Sequence, residues 1–511
     1  MEDFKLVSLK LRNNNIFPNT SFDFLDKDDK PTIPYSTVII GANGTGKSNL
    51  LRIVVLLFEE LNSLKEYDFR TNKVDGSFEL KYKLNGSIYL FKYGLIDIKS
   101  DISNNIGKEK KVQVYCNDQP IIFKAVELPG CILTLSNTIT DKFPLDNEDF
   151  KIYNYLGVRA NSNTARTTTF INKTIDLLYS TLPNDEVLPN LAKALAFLNY
   201  DKNLFISYYP RYKHTFFTGE LSDETFIDFF KHFWNYTRRS EDNPPWSINK
   251  FNSIYNESPK EISKLVNLCN KICKYLEPEF EGSRTTLFYI DVFINQFSNE
   301  ELLQLRTLHS LDILSYPYIG FNKGNKYFEL QNTSSGEYHF ISGIIGLLAK
   351  ITQNSLIIID EPENSLHPNW QMKYIGFIKS IFSEYKSCHF LIASHSHFMV
   401  SDLEPKSSFI LGLIRNEEKR TEAISIATNT YGWSAEEILL KIFQVSSTRN
   451  YYLTEKLETI FELISKEPSK EIVIKLKERI ADLRKIDFTG LSKEDPMKDV
   501  IHSLLKKFSN G

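Results

Sequence analysis

The chain has 511 residues and a formal net charge of −3; 42% of its residues are hydrophobic and 24% are charged. These values are typical of a globular protein with about three domains, so wholesale disorder is excluded. Because the charges nearly balance, the chain lacks a global basic field that would attract nucleic acid, and composition alone cannot show whether a local basic patch exists.

The first residues, MEDFKLVSLKL, lack the basic-then-apolar layout of a signal peptide, and the most apolar runs are too short to cross a bilayer. We therefore expect a soluble, cytoplasmic protein without a membrane partner. The 5 cysteines form no Cys-x-x-Cys pair, so neither a disulfide framework nor a structural zinc site is expected.

Residues 1–165 are predicted to form an α/β lobe with an antiparallel β arm. Two short strands around a polar turn come first, and a β-branched strand at Ser36–Ile40 runs into a glycine-rich loop that opens a helix. Alternating apolar residues then predict two hairpins, at residues 77–93 and 111–125, with turns at Asn85-Gly86 and Asn117-Asp118.

The rest of the chain divides into three further parts. Residues 166–310 are predicted to be a helical insertion, because apolar residues recur at spacings of three and four. Over residues 311–450 the α/β alternation resumes, with continuous apolar strands, such as Ser355–Ile359, that are typical of a buried parallel sheet. Residues 451–511 are predicted to be a C-terminal helical tail. The fold class is therefore α/β, with a mixed sheet, a β arm, a helical insertion and a helical tail.

The glycine-rich loop after Ser36–Ile40 has the pattern G-x-x-x-x-G-K-S. Such glycines let backbone N–H groups point inward around phosphates, and the start of the following helix favours anions. We expect Lys47 to contact the terminal phosphates and the Ser48 hydroxyl to bind Mg²⁺. The alternative is an ordinary glycine-rich turn, which the strand before it and the helix after it disfavour. The predicted nucleotide-binding residues here are Gly41, Ala42, Asn43, Gly44, Thr45, Gly46, Lys47, Ser48 and Asn49.

Two adjacent carboxylates end the apolar strand at Ser355–Ile359. The carboxyl edge of a parallel sheet is where ligands bind, so the strand delivers Asp360 and Glu361 to a functional edge. Asp360 suits a Mg²⁺ ligand, and Glu361 suits a general base that activates the attacking water. An acidic turn without function is the alternative, and the phosphate loop makes it the weaker one.

A serine- and glycine-containing turn, Ser334-Ser335-Gly336-Glu337, precedes a predicted helix 25 residues before Asp360 (360 − 335). Hydroxyls and a glycine at a helix start form an anion site. A plain N-cap, with Glu337 in the first turn, explains the same residues. The position of this turn ahead of the Asp360–Glu361 strand favours nucleotide binding by Ser334, Ser335, Gly336 and Glu337.

Histidines follow the apolar strand Phe390–Ala393, in the run Ser394-His395-Ser396-His397. An imidazole at this position can reach the γ-phosphate and hold the catalytic water, so His395 joins Lys47 and Glu361 as a predicted catalytic residue. A metal site at His395 and His397 is the alternative, which the lack of a neighbouring Cys or third His in the sequence disfavours.

These four elements, in this order, resemble the ATPase heads of the ABC superfamily. The resemblance implies an ATP- and Mg²⁺-dependent ATPase in which two heads sandwich ATP, so that Ser334 and Gly336 face the nucleotide held at Lys47 of a second copy. A homodimer or higher oligomer follows. The signature differs from the family's Leu-Ser-Gly-Gly-Gln, and the segment Tyr155–Arg159 is the candidate replacement for the missing Q-loop glutamine.

The run Glu361–Pro368 resembles OLD-type and related prokaryotic ATPases, including those of Septu-type antiphage systems, as do Tyr431–Leu439 and Ser447–Asn450. This resemblance implies a defence ATPase with a partner nuclease and possible contact with DNA. Two alternatives stay open: an OLD-type nuclease in its own right, and an ATP-dependent DNA clamp. Only 116 residues follow His395 (511 − 395), and they lack the Asp-x-Asp of an OLD-type nuclease domain, so the partner nuclease is favoured.

Overall fold

A computed structural model of the chain gives the architecture. It describes residues 3–25, 34–99, 106–159, 167–181, 187–236, 246–278, 286–294, 296–315, 317–324, 326–401, 403–404, 406–416, 418–426, 430, 433–441, 443, 451–467, 469–488 and 496–507. The motif Ser447–Asn450 lies outside these residues, as do the first two residues of Tyr431–Leu439.

Strands occupy both ends of the larger part of the chain. In chain order they are β1 Lys5–Arg12, β2 Asn19–Asp23, β3 Tyr35–Gly41, β4 Ser77–Leu84, β5 Ser87–Lys99, β6 Ile106–Cys116, β7 Gln119–Ile121, β8 Ile132–Ser136, β9 Tyr153–Tyr155, β10 Phe205–Tyr208, β11 Glu277–Pro278, β12 Thr286–Asp291, β13 Tyr318–Lys323, β14 Lys326–Glu329, β15 Leu356–Asp360, β16 His389–Ser394, β17 Ser408–Arg415 and β18 Thr421–Ile426.

Helices follow the phosphate loop, fill the insertion and form the tail. In chain order they are α1 Lys47–Tyr67, α2 Thr167–Thr181, α3 Val187–Phe197, α4 Lys213–Phe216, α5 Asp223–Tyr236, α6 Trp246–Glu257, α7 Lys260–Ile272, α8 Asn299–Ser310, α9 Ser335–Lys350, α10 Pro368–Ile381, α11 Ala435–Lys441, α12 Tyr451–Ser465, α13 Lys470–Arg484 and α14 Pro496–Lys507. Within the described ranges, every helix is too short or too polar to span a bilayer.

The central sheet is mixed and has seven strands in the order β18-β17-β3-β16-β15-β8-β9. Six of them run parallel, and β18 alone is antiparallel to its neighbour β17. The runs in β3, β15 and β16 are apolar and fully buried because both faces of the sheet are covered. The predicted α/β class with a mixed sheet is confirmed.

The register of this sheet brings distant motifs to one edge. Asp360, the last residue of β15, pairs with Ala393 on β16 and with Ser136 on β8. On the other side of β16, Ser394 pairs with Ile40, at the end of β3. The loops that follow β3, β15 and β16 therefore leave the sheet side by side.

Helix α1 lies between the central sheet and a six-stranded antiparallel sheet of order β2-β1-β4-β5-β6-β7. Its apolar residues, including Leu50, Val54 and Phe58, share one core with side chains from both sheets. The predicted hairpins form this second sheet, and their turn residues Asn85 and Asn117 adopt positive φ, as two-residue hairpin turns require.

The insertion is less helical than the sequence predicts. Residues 166–310 contain helices α2 to α8, but they also contribute β10, β11 and β12 to a five-stranded sheet. Strands β13 and β14 complete that sheet, so it continues past residue 310. These strands have two to six residues each, and β10 pairs with β12 and β13 across long stretches of chain, so their local pattern is lost among the helical spacings around them.

The chain divides into two compact units, residues 1–432 and 433–511. The second unit contains helices α11 to α14. Its core joins α12, α13 and α14, which lie within the predicted helical tail. The buried residues of that core are Leu457, Ile460, Leu476, Ile480, Leu483, Ile501 and Leu504.

Candidate nucleotide site

The phosphate loop connects β3 to α1 in the backbone form that its glycines allow. Gly44 and Gly46 have φ angles of 78° and 96°, a region that favours glycine. A Cβ on Gly46 would lie 2.8 Å from the ring of Phe17, so a side chain is excluded there on steric grounds too. The Thr45 hydroxyl donates to the Ala42 carbonyl over 2.9 Å and closes the turn.

Lys47 turns its ammonium back over this loop. Its Nζ lies 2.8 Å from the Gly41 carbonyl oxygen and 3.3 Å from that of Ala42, and the side chain is buried. Burial lowers the pKa of Lys47 to about 8, while nearby carboxylates act in the opposite direction. A desolvated ammonium held by carbonyl dipoles at the mouth of a phosphate loop gains a charged partner when an anion binds.

Asp360 and Ser48 meet across the site. The Ser48 hydroxyl donates to Asp360 Oδ1 over 3.0 Å. Burial raises the pKa of Asp360 to about 7, and the Ser48 hydrogen bond opposes that shift. A divalent cation would favour the ionised form of this buried carboxyl, and hydroxyl and carboxylate oxygens are the ligands that Mg²⁺ prefers, so the pair fits Mg²⁺.

Glu361 and His395 form the next link. His395 Nε2 lies 3.3 Å from Glu361 Oε1, and its Nδ1 lies 3.0 Å from Lys47 Nζ. Because an ammonium can only donate, Nδ1 must accept and the ring proton must sit on Nε2, facing Glu361. The His395 hydrogen bond is the largest of the effects that lower the pKa of Glu361 to about 2. Glu361 is therefore an ionised carboxylate beside a neutral imidazole.

Glu363 and Asn364, which follow Glu361, fix this geometry. Neither residue was predicted from the sequence to have a role. Asn364 Nδ2 donates to Glu361 Oε2 over 3.0 Å. Glu363 Oε1 accepts the backbone N–H of His395 over 2.5 Å, which ties the loop after β15 to the loop after β16. Glu361 itself has a positive φ of 51°, an unusual conformation for a glutamate. The signal available in the sequence was the polar run Glu361–Asn364 directly after a buried strand.

A second missed contribution comes from β8, which lies next to Asp360. The loop that follows it carries Asp141, whose charge also raises the pKa of Asp360. Arg159 Nη2 lies 2.7 Å from Asp141 Oδ1, and the Tyr155 hydroxyl donates to Asp141 Oδ2 over 2.6 Å. The segment Tyr155–Arg159 thus contacts the site through Asp141. In the sheet, β8 lies next to Asp360, and β9 lies on the far side of β8.

The turn Ser334–Glu337 caps helix α9. Ser334 Oγ accepts from the N–H of Glu337, and the Glu337 carboxylate accepts from the N–H of Ser334, in a complete capping box. Gly336 is packed so closely that a Cβ would lie 2.2 Å from the Ser365 carbonyl oxygen. Ser335 is exposed. Among the described residues, the hydrogen bonds of the Ser334 side chain stay within its own turn.

One copy of the chain therefore brings together the phosphate loop, the Asp360–Glu361 pair and His395. The turn Ser334–Glu337 instead packs against Ser365 of the same chain. Of the two neighbouring histidines, His395 points to Lys47 and Glu361, whereas the ring of His397 lies against Phe398, with 4.0 Å between the ring centres.

The chain is similar to known proteins over most of its length. A family model for the AAA ATPase domain matches residues 5–400. Over 168 residues the chain is 27% identical to the Septu protein PtuA of Bacillus thuringiensis. This match covers 30% of the chain and 41% of that protein. The SMC head domain from Thermotoga maritima is 11% identical and aligns over 83% of this chain and all of its own length, with a TM-score of 0.36. The Smc head domain with a coiled coil and joint from Pyrococcus yayanosii is 10% identical, over 87% and 100% of the two chains, with a TM-score of 0.33.

Proposed function

Because this chain belongs to the family of the AAA ATPase domain, we propose that it binds ATP at Gly41–Ser48 and hydrolyses it with Glu361 as the general base. The observation that carries this proposal is the continuous contact from Lys47 through His395 to Glu361, within 3.3 Å at each step. A phosphoryl group beside Lys47 would lie next to both the imidazole and the base.

Each group in this chain of contacts has a defined task. The ionised Glu361 accepts the proton of the attacking water, and Asn364 and His395 hold its two oxygens in place. Lys47 offsets the negative charge of the terminal phosphate. Ser48 and Asp360 would hold Mg²⁺, which neutralises charge on the phosphate oxygens when it is bound.

The substitution Lys47→Ala tests the assignment of the nucleotide site. Removal of the buried ammonium leaves the phosphates without their cation, so ATP affinity should fall by about tenfold or more, since each 1.4 kcal/mol of lost binding energy is a factor of ten. Isothermal titration calorimetry measures the ATP affinity. Lys65→Ala, in the last turn of the same helix, is the matched control. Wild-type affinity in Lys47→Ala would remove the phosphate loop from nucleotide binding.

We further propose that ATP joins two copies of the chain. In this arrangement the exposed start of α9, at Ser334 and Ser335, covers the nucleotide that Lys47 of the other copy holds. The exposure of Ser334 and Ser335 at a helix start supports this proposal, because backbone N–H groups at a helix start favour an anion.

The role in the cell that we favour is control of a partner nuclease in an antiphage system. The local similarity to the Septu protein PtuA supports it. Incubation of the pure protein with plasmid DNA, Mg²⁺ or Mn²⁺ and ATP separates this role from that of an OLD-type nuclease. We expect intact plasmid with the pure chain; cleavage in repeated preparations that Lys47→Ala or Glu361→Gln abolishes would assign the nuclease activity to this chain.

A further inference from the structure

The six-stranded sheet has one face in the core and one that is turned outward, here called the outer sheet face. Residues alternate between the two faces along each strand, so Leu9, Leu11 and Phe91 are buried while their neighbours point outward. Pairing aligns the outward residues in rows across β1, β4, β5 and β6. Two of these rows are Lys10–Glu79–Lys92–Gln113 and Arg12–Ser77–Gly94–Lys111.

This face is strongly basic, although the whole chain carries a net charge of −3. Among the residues whose side chains the structure describes, its cations are Lys10, Arg12, Lys81, Lys83, Lys92 and Lys111, and its carboxylates are Asp23, Glu79 and the Asp3 that pairs with Lys83. The two rows line an open cavity of about 410 Å³.

Most of this charge is available to a ligand. Lys83 pairs with Asp3 over 3.2 Å, whereas Lys10, Arg12 and Lys92 form no ion pair within 4.0 Å in the part of the chain that the structure describes. Lys10 and Lys92 both lie opposite Glu79 across the sheet, whereas the row that contains Arg12 has no carboxylate. Because cations outnumber carboxylates on this face, an anion that binds there is attracted to it.

We propose that the outer sheet face binds the phosphate backbone of double-stranded DNA. Strands lie about 4.8 Å apart and residues i and i+2 about 6.8 Å apart, so neighbouring cations on this face stand roughly 7–15 Å from one another. Such spacing matches phosphates on the two sides of a duplex groove, which is about 6 Å wide in the minor groove and about 12 Å in the major groove. The proposal concerns a surface distinct from the nucleotide site and does not depend on ATP hydrolysis.

The aromatic residues of the arm favour a duplex over a single strand. Single-stranded nucleic acids bind through bases that stack on open aromatic rings. Among the described side chains of the outer sheet face, Tyr115 is the one aromatic residue, and the Lys92 ammonium lies 5.7 Å from its ring; Tyr93 pairs with Phe78 on the core side. This part of the face therefore offers charge to a backbone rather than a series of rings for stacking, so binding should be independent of sequence.

The experiment compares two triple variants with the same loss of charge. One is Lys10→Gln, Arg12→Gln and Lys92→Gln on the outer sheet face; the control is Lys326→Gln, Lys373→Gln and Lys386→Gln, three exposed lysines elsewhere. Fluorescence anisotropy with a labelled duplex of about 30 base pairs, without nucleotide, gives the affinity over a range of salt concentrations. The first variant should bind at least about tenfold more weakly at low salt, and its salt slope should fall by about 2–3.

Several results would overturn the proposal. Equal affinity of the first variant and the wild type would do so, as would an equal loss in the control. Tighter binding of a single strand of the same length would refute the assignment to a duplex. Because three substitutions in one sheet can disturb folding, Arg12→Gln alone, at an exposed strand end, provides a second test, with a salt slope reduced by about one; an unchanged slope in that folded variant contradicts the proposal.

Discussion

At the scale of single residues, the site depends on which partner each polar atom faces. His395 contacts the cation Lys47 with one nitrogen and the carboxylate Glu361 with the other, so its neutral form suits both neighbours. Protonation of this ring would place a second positive charge beside the Lys47 ammonium. The imidazole therefore acts as a fixed spacer between the phosphate-binding cation and the base.

The substitution His395→Ala should remove the side chain that connects Lys47 to Glu361. Glu361 would lose the hydrogen bond that lowers its pKa most, and its carboxylate would no longer be held in position. We expect kcat to fall on the order of 10²-fold while ATP affinity changes little, because this contact matters for proton transfer. Steady-state kinetics measures both. His397→Ala, with its ring against Phe398, is the control and should keep wild-type turnover; equal effects of the two substitutions would refute the role of His395.

At the scale of elements, the proposed dimer contact depends on the exposed start of α9. Its capping box is complete, and Gly336 lets the turn approach the Ser365 carbonyl, where any side chain would clash. A large side chain at the exposed position 335 leaves both of these contacts in place. It therefore obstructs only a molecule that binds over the start of α9.

The substitution Ser335→Arg should therefore prevent ATP-dependent dimerisation without unfolding the chain. Asn299→Arg is the matched control, since Asn299 is the exposed first residue of α8 behind an equivalent capping box, Ser298 and Glu301. Sedimentation velocity with ATP in a background of Glu361→Gln measures the fraction of dimer. We expect dimer in the control and monomer in Ser335→Arg; dimer in both would contradict the proposed interface.

The elements also show what a sequence can and cannot predict here. The phosphate loop, Asp360–Glu361 and His395 were predicted together because each follows an apolar run, and parallel strands end at one edge. Strand β8 and its loop with Asp141 were missed, because the short run Ile132–Ser136 carries no motif and its partner β15 is more than 200 residues away. The sheet in the insertion was missed for the same reason: its pairing is set by tertiary contacts.

At the scale of the whole molecule, one buried histidine links the central sheet to the β arm. His389 lies on β16 and is fully buried; its Nδ1 accepts the N–H of Leu6 on β1 over 3.0 Å, and its Nε2 lies 2.8 Å from the Thr37 hydroxyl. Burial, followed by the charge of Lys5, holds the pKa of His389 well below its usual range. The neutral ring is therefore part of the folded structure.

Acid should destabilise the folded chain through His389. The unfolded chain binds a proton near pH 6.5 and the folded chain does not, so stability falls as pH drops below that value, by up to about 1.4 kcal/mol per pH unit. His389→Gln removes this titration and should flatten the decline of the melting temperature between about pH 7 and 5. His214→Gln, at an exposed histidine, should leave the decline as in the wild type; identical profiles for all three proteins would contradict this account.

The central claim, that Glu361 activates water at a site formed with Lys47 and His395, is tested most directly by the rate of ATP hydrolysis in Glu361→Gln. The amide keeps the size of the side chain but is neutral and cannot accept the proton. The account predicts a rate lower by about 10²–10⁴-fold, with ATP affinity within a few-fold of the wild type. A wild-type rate in this variant would contradict it.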